Sequence, residues 1–426
     1  MNICFASDNL VGYHKSWAGA EQACYRIAKL LIRNNHEVSF LTEKIDKVPE
    51  ERLKVFEVSS IGKGFWGRKI KSILRHFFPF DPIAGLSSYR ALKKIKPDIL
   101  HLHRFNDLSL SLVWSAKRLG IPVVFSMYDF WFICPRGTLI DIQGKRCTCY
   151  QGENCNDCMG LRNKFPSAVK KNISFKKTYR LRKKVIDYFL NKIDAIVVLS
   201  NSWAEILEQY GAERKKISVI PLPLFEKIRG QTELIEENSI LFVGWIYPHK
   251  GLQVLIEALP IILKEIPRIK LYVVESGVDK NYENEIMKTI EKFKLEENVS
   301  FLGKLPNEKV QTYLQKAKVV AVPEQWGIAW PIFLTEAMGL GKPIVASRIG
   351  DIPMFIKDGE NGFLAEPRDS TDFARKLIWM LKEKKASEMG KKAQKDIIEI
   401  CDENKILEKL ENIYLFLTKM NKKYAQ

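Results

Sequence analysis

The chain has 426 residues, 46% of them hydrophobic and 28% charged, with a formal net charge of +18 and a pI near 9.3. That length suggests two domains or more with well-buried cores, and the composition is that of a soluble globular protein. No apolar run approaches the roughly 20 residues of a membrane span. The chain opens on a strand-like run without a basic and apolar leader, so a cytoplasmic protein is expected. The basic balance leaves nucleic acid, an anionic membrane surface or anionic small substrates as partners.

Residues 2–6 read as a strand, followed by a loop over 7–18 and a helix over 19–34 with Cys24, Ile27, Ala28 and Leu31 on one face. Residues 38–42 give the next strand. This opening suits a Rossmann-like domain, although neither G-x-G-x-x-G nor G-x-x-x-x-G-K-[ST] is present. Between residues 63 and 96, basic residues are interleaved with Phe65, Trp66, Ile70, Ile73, Leu74, Phe77, Phe78 and Phe80. From Arg162 to Lys184 there are ten basic residues and no acidic one. Such stretches fit a surface resting on anionic lipid headgroups. They fit equally a solvated face whose apolar side packs inward.

Residues 99–103 form a strand that places His101 and His103 on one face. A metal there would lack a third ligand at a familiar spacing. Beyond Cys134 the cysteines cluster as Cys147, Cys149, Cys155 and Cys158, in a C-x-C-x5-C-x2-C pattern. In a cytoplasmic protein that pattern favours a structural zinc over disulfides. Cys155 and Cys158 make one half-site, and two of Cys134, Cys147 and Cys149 the other, with Cys134 and Cys147 taken here. Cys4, Cys24 and Cys401 read as ordinary buried thiols. Residues 195–200 and 217–221 are the closing strands of this half, and Pro221-Leu222-Pro223-Leu224 is a rigid hinge.

The expected division is a first domain over 1–225 with a cysteine-rich insertion at 134–158, a linker over 226–238, and a second domain over 239–402. A last helix is expected over 403–426. Residues 239–243 start the second βα series, leading through Gly244 and Pro248-His249-Lys250-Gly251 into a helix with Leu252, Leu255, Leu259 and Ile262 on one face. Strands at 270–274 and 299–302 flank a charged helix at 283–293. Residues 319–322 are a buried strand, followed by a loop ending at Pro331, a helix carrying Glu336, and a strand at 344–346. This order places a helix N-terminus and a carboxylate in the crevice beyond two strands, where α/β sheets bind ligands and a phosphate is well received. Glu336 lies among Leu334, Ala337 and Met338, so its carboxylate needs a partner such as ligand hydroxyls.

The segment WPIFLTEAMGLGKPIVAS resembles the donor-binding segment of the retaining glycosyltransferases of family 4, which have the GT-B fold of two Rossmann-like domains facing across a cleft. The resemblance implies that Glu336 grips the ribose of a nucleotide-sugar and that the last helix, 403–426, crosses back to the first domain. The first glutamate of the family's E-x7-E pair falls on Ile328, and Glu324, four residues earlier, is the candidate to stand in. Ala18-Gly19-Ala20-Glu21 resembles G-G-A-E, which implies that Gly19 lets a backbone N–H approach the donor diphosphate. Gly244 and Lys250 match V-G-R-x4-K-G, with Lys250 as a diphosphate cation and Trp245 in the arginine's place. Trp330, Pro331 and Ile332 complete the donor side. The run KPDILHLH implies that His103 lies near the acceptor. Tyr128-Asp129 stands where the family carries His-Asp, and a tyrosine is no base at neutral pH.

A hexosyltransferase is therefore expected, with a UDP- or GDP-sugar donor, a lipid-linked or glycan acceptor, no obligatory catalytic metal and no nucleic acid partner. Its place is the cytoplasm, at the inner face of a membrane. Two other readings are a relative that binds partners after losing catalysis and, with no motif behind it, an RNA-binding protein.

Overall fold

The computed structural model describes residues 1–14, 19–48, 53–61, 78–141, 145–148, 155–159, 175–224, 235–327 and 330–425. Ala18, Cys149, Ile328, residues 63–77 and 162–174 of the basic stretches, and 226–234 of the expected linker lie outside them. The chain divides into two compact units, Met1–Pro223 with Glu403–Gln426, and Leu224–Asp402.

In the first unit the described strands are β1 (Asn2–Ser7), β2 (Glu37–Thr42), β3 (Lys54–Glu57), β4 (Ile99–Arg104), β5 (Val123–Ser126), β6 (Ala195–Val198) and β7 (Ile217–Val219). They form one sheet in the order β3-β2-β1-β4-β5-β6-β7, with parallel pairing throughout. The helices are α1 (Gly19–Arg33), α2 (Pro82–Ile95), α3 (Ser111–Arg118), α4 (Cys155–Cys158), α5 (Phe175–Lys192) and α6 (Asn201–Tyr210). A parallel sheet is covered on both faces, which explains why β5 and β6 are buried along their whole length. Helix α2 starts where it does because Asp81 Oδ1 accepts from the backbone N–H of Ile83 (2.9 Å) and Ala84 (3.0 Å), with Pro82 in the first turn. Edge strand β3 escapes the sequence reading because its residues are only half-buried or exposed, with no apolar run to mark them.

The second unit carries β8 (Glu236–Ile246), β9 (Lys270–Val278), β10 (Val299–Gly303), β11 (Ala317–Val322), β12 (Ile344–Ser347) and β13 (Phe363–Ala365) in the order β10-β9-β8-β11-β12-β13. Its helices are α7 (Leu252–Leu263), α8 (Lys280–Phe293), α9 (Asn307–Lys316), α10 (Ile332–Gly339), α11 (Ile352–Phe355), α12 (Ser370–Lys382) and α13 (Lys385–Ile400). Strand β8 begins inside the expected linker: Glu236 is in register with Ala317, and Ser239 Oγ accepts from Lys318 N at 2.9 Å. Helix α8 starts three residues before the expected 283, because Asp279 Oδ1 caps Asn281 N at 3.0 Å.

The last helix, α14 (Glu403–Ala425), belongs to the first unit. It is fixed there by the buried Tyr414, whose hydroxyl meets His101 Nδ1 at 2.7 Å, and by Glu411 against His36 Nε2 at 2.7 Å. Each sheet reverses its winding once, between β1 and β4 in the first unit and between β8 and β11 in the second. The crevice outside the strand ends at such a reversal is where a ligand binds in α/β sheets.

Candidate active site

At the first reversal, β4 ends in His101, His103 and Arg104. The two imidazoles share a face, with ring centroids 4.2 Å apart. His101 is fully buried between Tyr414 and Ser126, whose Oγ lies 2.8 Å from Nε2, and burial lowers its pKa to about 3. It is a neutral structural link, not a titrating group. His103 Nδ1 lies 2.9 Å from the Tyr128 hydroxyl, while its buried Nε2 has no hydrogen-bond partner among the described residues. Burial, reinforced by His101, holds His103 neutral, and burial likewise keeps Tyr128 a neutral phenol. The two predicted residues are thus brought together as one hydrogen-bonded pair.

Asp129 turns back on its own loop, its Oδ1 accepting from Trp131 N at 2.8 Å, and burial raises its pKa. Beside it stands an ion pair that the sequence reading missed. Arg104 Nη1 meets the buried Glu21 Oε1 at 3.3 Å. Burial works against the Arg104 charge, but Glu21, Asp8 and Asp129 outweigh it and raise its pKa. Asp8 is buried too, and its Oδ1 accepts from Asp107 N and Leu108 N, both at 2.9 Å. Ala20, His103, Arg104, Tyr128, Asp129 and Trp131 line a cavity of about 10 Å³, room for a single water. Gly19 is the first residue of α1 on this edge, with the acidic Glu21 in its first turn. The signal for Glu21 and Arg104 was their position, one in a helix's first turn and one directly after His-x-His. Periodicity does not reveal that two such residues meet.

At the second reversal, Lys250 ends a short 3₁₀ turn over Pro248–Lys250, and Gly251 follows at φ 74°. A side chain at Gly251 would overlap the carbonyl oxygen of Pro323, so only glycine lets the loop after β11 come this close. Gln325 N donates to His249 O at 2.8 Å and locks the two loops together. The result is a part-buried pair: Lys250 Nζ lies 2.5 Å from the buried Glu324 Oε1, and Glu324 Oε2 accepts from Trp326 Nε1 at 2.8 Å. The resemblance gave Lys250 and Glu324 separate roles, phosphate cation and sugar carboxylate. The structure joins them, so each neutralises the other.

Gly244 sits at the end of β8, its Cα facing the Phe242 ring. Trp245, in the place of the family's arginine, is 41% exposed and lies over Gly277, where any side chain would displace the indole. Trp330 is buried against Phe355, with centroids 4.8 Å apart and planes at 90°, which makes it a packing residue. Pro331 stands at the N-terminus of α10 and gives that end no side-chain cap, so the first N–H groups of the helix have no intrahelical acceptor. Glu336 lies in the middle of α10, half-buried between Thr335 and Ala337, which are both buried.

The four cysteines Cys134, Cys147, Cys155 and Cys158 line a separate cavity in the first unit. Among the described residues, no three His, Cys, Asp or Glu side chains stand at metal-ligand spacing. Among the same residues, no helix is long and apolar enough to cross a membrane.

Residues 17–224 match the family model described as Glycosyltransferase Family 4, and residues 225–396 match Glycosyl transferases group 1. The poly(ribitol-phosphate) alpha-N-acetylglucosaminyltransferase of Staphylococcus aureus is 29% identical over 53% of this chain and 44% of its own length. The N-acetyl-alpha-D-glucosaminyl L-malate synthase of Bacillus anthracis is 22% identical over 91% of both chains. The chain thus aligns with under half the length of relatives such as the staphylococcal one. An Anabaena protein solved with UDP and glucose superposes with a TM-score of 0.67 at 16% identity, covering 97% of this chain and 98% of its own. Sucrose-phosphate synthase from Thermosynechococcus elongatus gives 0.69 at 15%, covering 98% and 99%. Two parallel sheets, each reversed once, and two family models running without a gap from residue 17 to residue 396 mean that this chain belongs to the group 1, family 4 glycosyltransferases and has the GT-B fold.

Proposed function

We propose that this protein is a retaining glycosyltransferase that moves a sugar from a UDP- or GDP-sugar to a lipid-linked or glycan acceptor at a membrane face. The observation that carries this reading is the strand edge at the β8/β11 reversal. It holds Lys250 and Glu324 in contact and leads into α10, whose N-terminus suits a diphosphate and whose body carries Glu336. Lys250 and the α10 N–H groups would stabilise charge developing on the departing diphosphate. Relatives named for a polymer acceptor and for malate differ in acceptor, so they support sugar transfer and leave the acceptor class to the first unit.

The membrane face is supported by helices α2 and α5. On α2 the exposed Ile83 and Leu86 accompany the exposed Arg90 and Lys93, and on α5 Leu181 and Tyr188 flank the exposed Lys184. Apolar side chains beside cations are what an anionic lipid surface attracts.

A panel of nucleotide-sugars read by melting temperature tests the donor. One member should raise the melting temperature in a concentration-dependent way. Binding without turnover would favour a partner-binding relative that has lost catalysis, and RNA binding that falls steeply with salt would favour a nucleic-acid protein.

A further inference from the structure

Three local devices bring cysteines to one place in the first unit. Cys134 sits in a tight turn, its N–H donating to Phe130 O (2.6 Å) and its carbonyl accepting from Gly137 N (2.8 Å), with Gly137 at φ 76°. The chain then folds back on itself: Ile140 and Arg146 form an antiparallel bridge, and Cys147 N donates to Leu139 O at 2.7 Å. That hairpin returns Cys147 toward the Cys134 turn. Finally, α4 is a single turn that starts at Cys155 and ends at Cys158, so the two thiols emerge on the same side.

All four side chains line one cavity of about 110 Å³, together with Arg136 and Arg146. Cys134 and Cys155 are buried, Cys147 and Cys158 are partly so, and none of the four is in a disulfide among the described residues. Burial, and then the nearness of Cys134, Cys147 and Cys158, push the Cys155 thiol up to about 12. A cation is built in beside them. Arg182 is fully buried, lies within electrostatic reach of Cys134 and Cys155, donates to Trp131 O at 2.7 Å and sits over the Trp131 ring at 5.1 Å. Cys4, Cys24 and Cys401 are buried elsewhere and do not line this cavity.

We propose that this cavity is the seat of one structural zinc ion held by Cys134, Cys147, Cys155 and Cys158. No three side chains stand at ligand spacing among the described residues, so binding draws the four thiols together around the ion. Each gives up its proton to solvent in doing so. A zinc tetrathiolate carries two negative charges, and Arg136, Arg146 and Arg182 are the cations that compensate it. Four protein ligands leave no open position, so the ion braces the segment from Cys134 to Cys158 and takes no part in the sugar chemistry. The inference is independent of which reaction the protein performs.

Elemental analysis of the full chain, purified under reducing conditions without chelator, should find one zinc per chain. Titration with a mercurial should release it as four thiols react. Cobalt(II) in its place should give thiolate-to-metal charge-transfer absorption. Cys155→Ser and Cys158→Ser should lose the ion, while Cys401→Ser and Cys149→Ser should keep it. If a ligand variant fails to fold, the metal content and thiol titration of the parent still decide. A folded parent produced with zinc supplied, yet holding none and showing all eight thiols free, overturns the proposal. So do disulfides among the four, or zinc that survives loss of Cys147 and departs with Cys149.

Discussion

A side chain on Gly251 cannot coexist with the Pro323 carbonyl, and the φ of 74° disfavours one in any case. Gly251→Ala should therefore lower the stability of the second unit by about 1–3 kcal/mol, read by chemical denaturation. It should also weaken donor binding, because it parts Lys250 from Glu324. That pair predicts strong coupling. Glu324→Gln and Lys250→Met should each impair donor use, and the double variant should fall short of the summed losses by about 0.5–3 kcal/mol. Additive losses would mean that the two act separately. Asp8 gives a pH prediction. Burial raises its pKa from 3.8 to about 8, against the pull of the Leu108 N–H and Arg104 and with the push of Glu43 and Glu21. A carboxyl whose folded pKa is raised stabilises fully below its unfolded pKa, and that stability is lost as pH climbs through the folded pKa. Asp8→Asn cannot ionise, so its melting temperature should gain on the parent's as pH rises from about 4 to about 8 and level off above that. A gap that stays constant with pH would contradict this.

At the scale of elements, α14 shows how distant sequence is tied to the site. Tyr414 holds His101, which packs on His103, which holds Tyr128. Tyr414→Phe leaves one nitrogen of a buried histidine unsatisfied and should cost about 1–3 kcal/mol, measured by urea unfolding of the full chain. Most elements were legible beforehand because parallel strands are continuous apolar runs and their helices carry one apolar stripe. The runs at β6, β11 and β12 stood out for that reason. Strands β3 and β5 did not, nor did helices such as α2, α3, α5, α9 and α13. The first is an edge, and α13 buries mainly small or widely spaced residues such as Ala386, Gly390 and Ala393. Site residues were legible as types but not as partners. Nothing in the spacing between Lys250 and Glu324, or between Glu21 and Arg104, states that they touch.

For the whole molecule, the charge of +18 and the exposed apolar residues on α2 and α5 predict binding to anionic vesicles that rises with anionic lipid and falls with salt. Equal sedimentation with neutral and anionic vesicles would remove the electrostatic part of that account. Leu181→Glu with Tyr188→Glu should reduce binding several-fold while leaving soluble donor affinity unchanged. The central claim is that α10 carries the nucleotide-sugar, and the release of nucleoside diphosphate from the matched donor tests it most directly. Charge-assisted hydrogen bonds to ribose hydroxyls are worth about 1.5–3 kcal/mol each. The parent should therefore release nucleoside diphosphate, and Glu336→Gln should need roughly tenfold more donor or beyond to match it. A Glu336→Gln protein that binds and turns over its donor as the parent does would contradict the placement of the nucleotide.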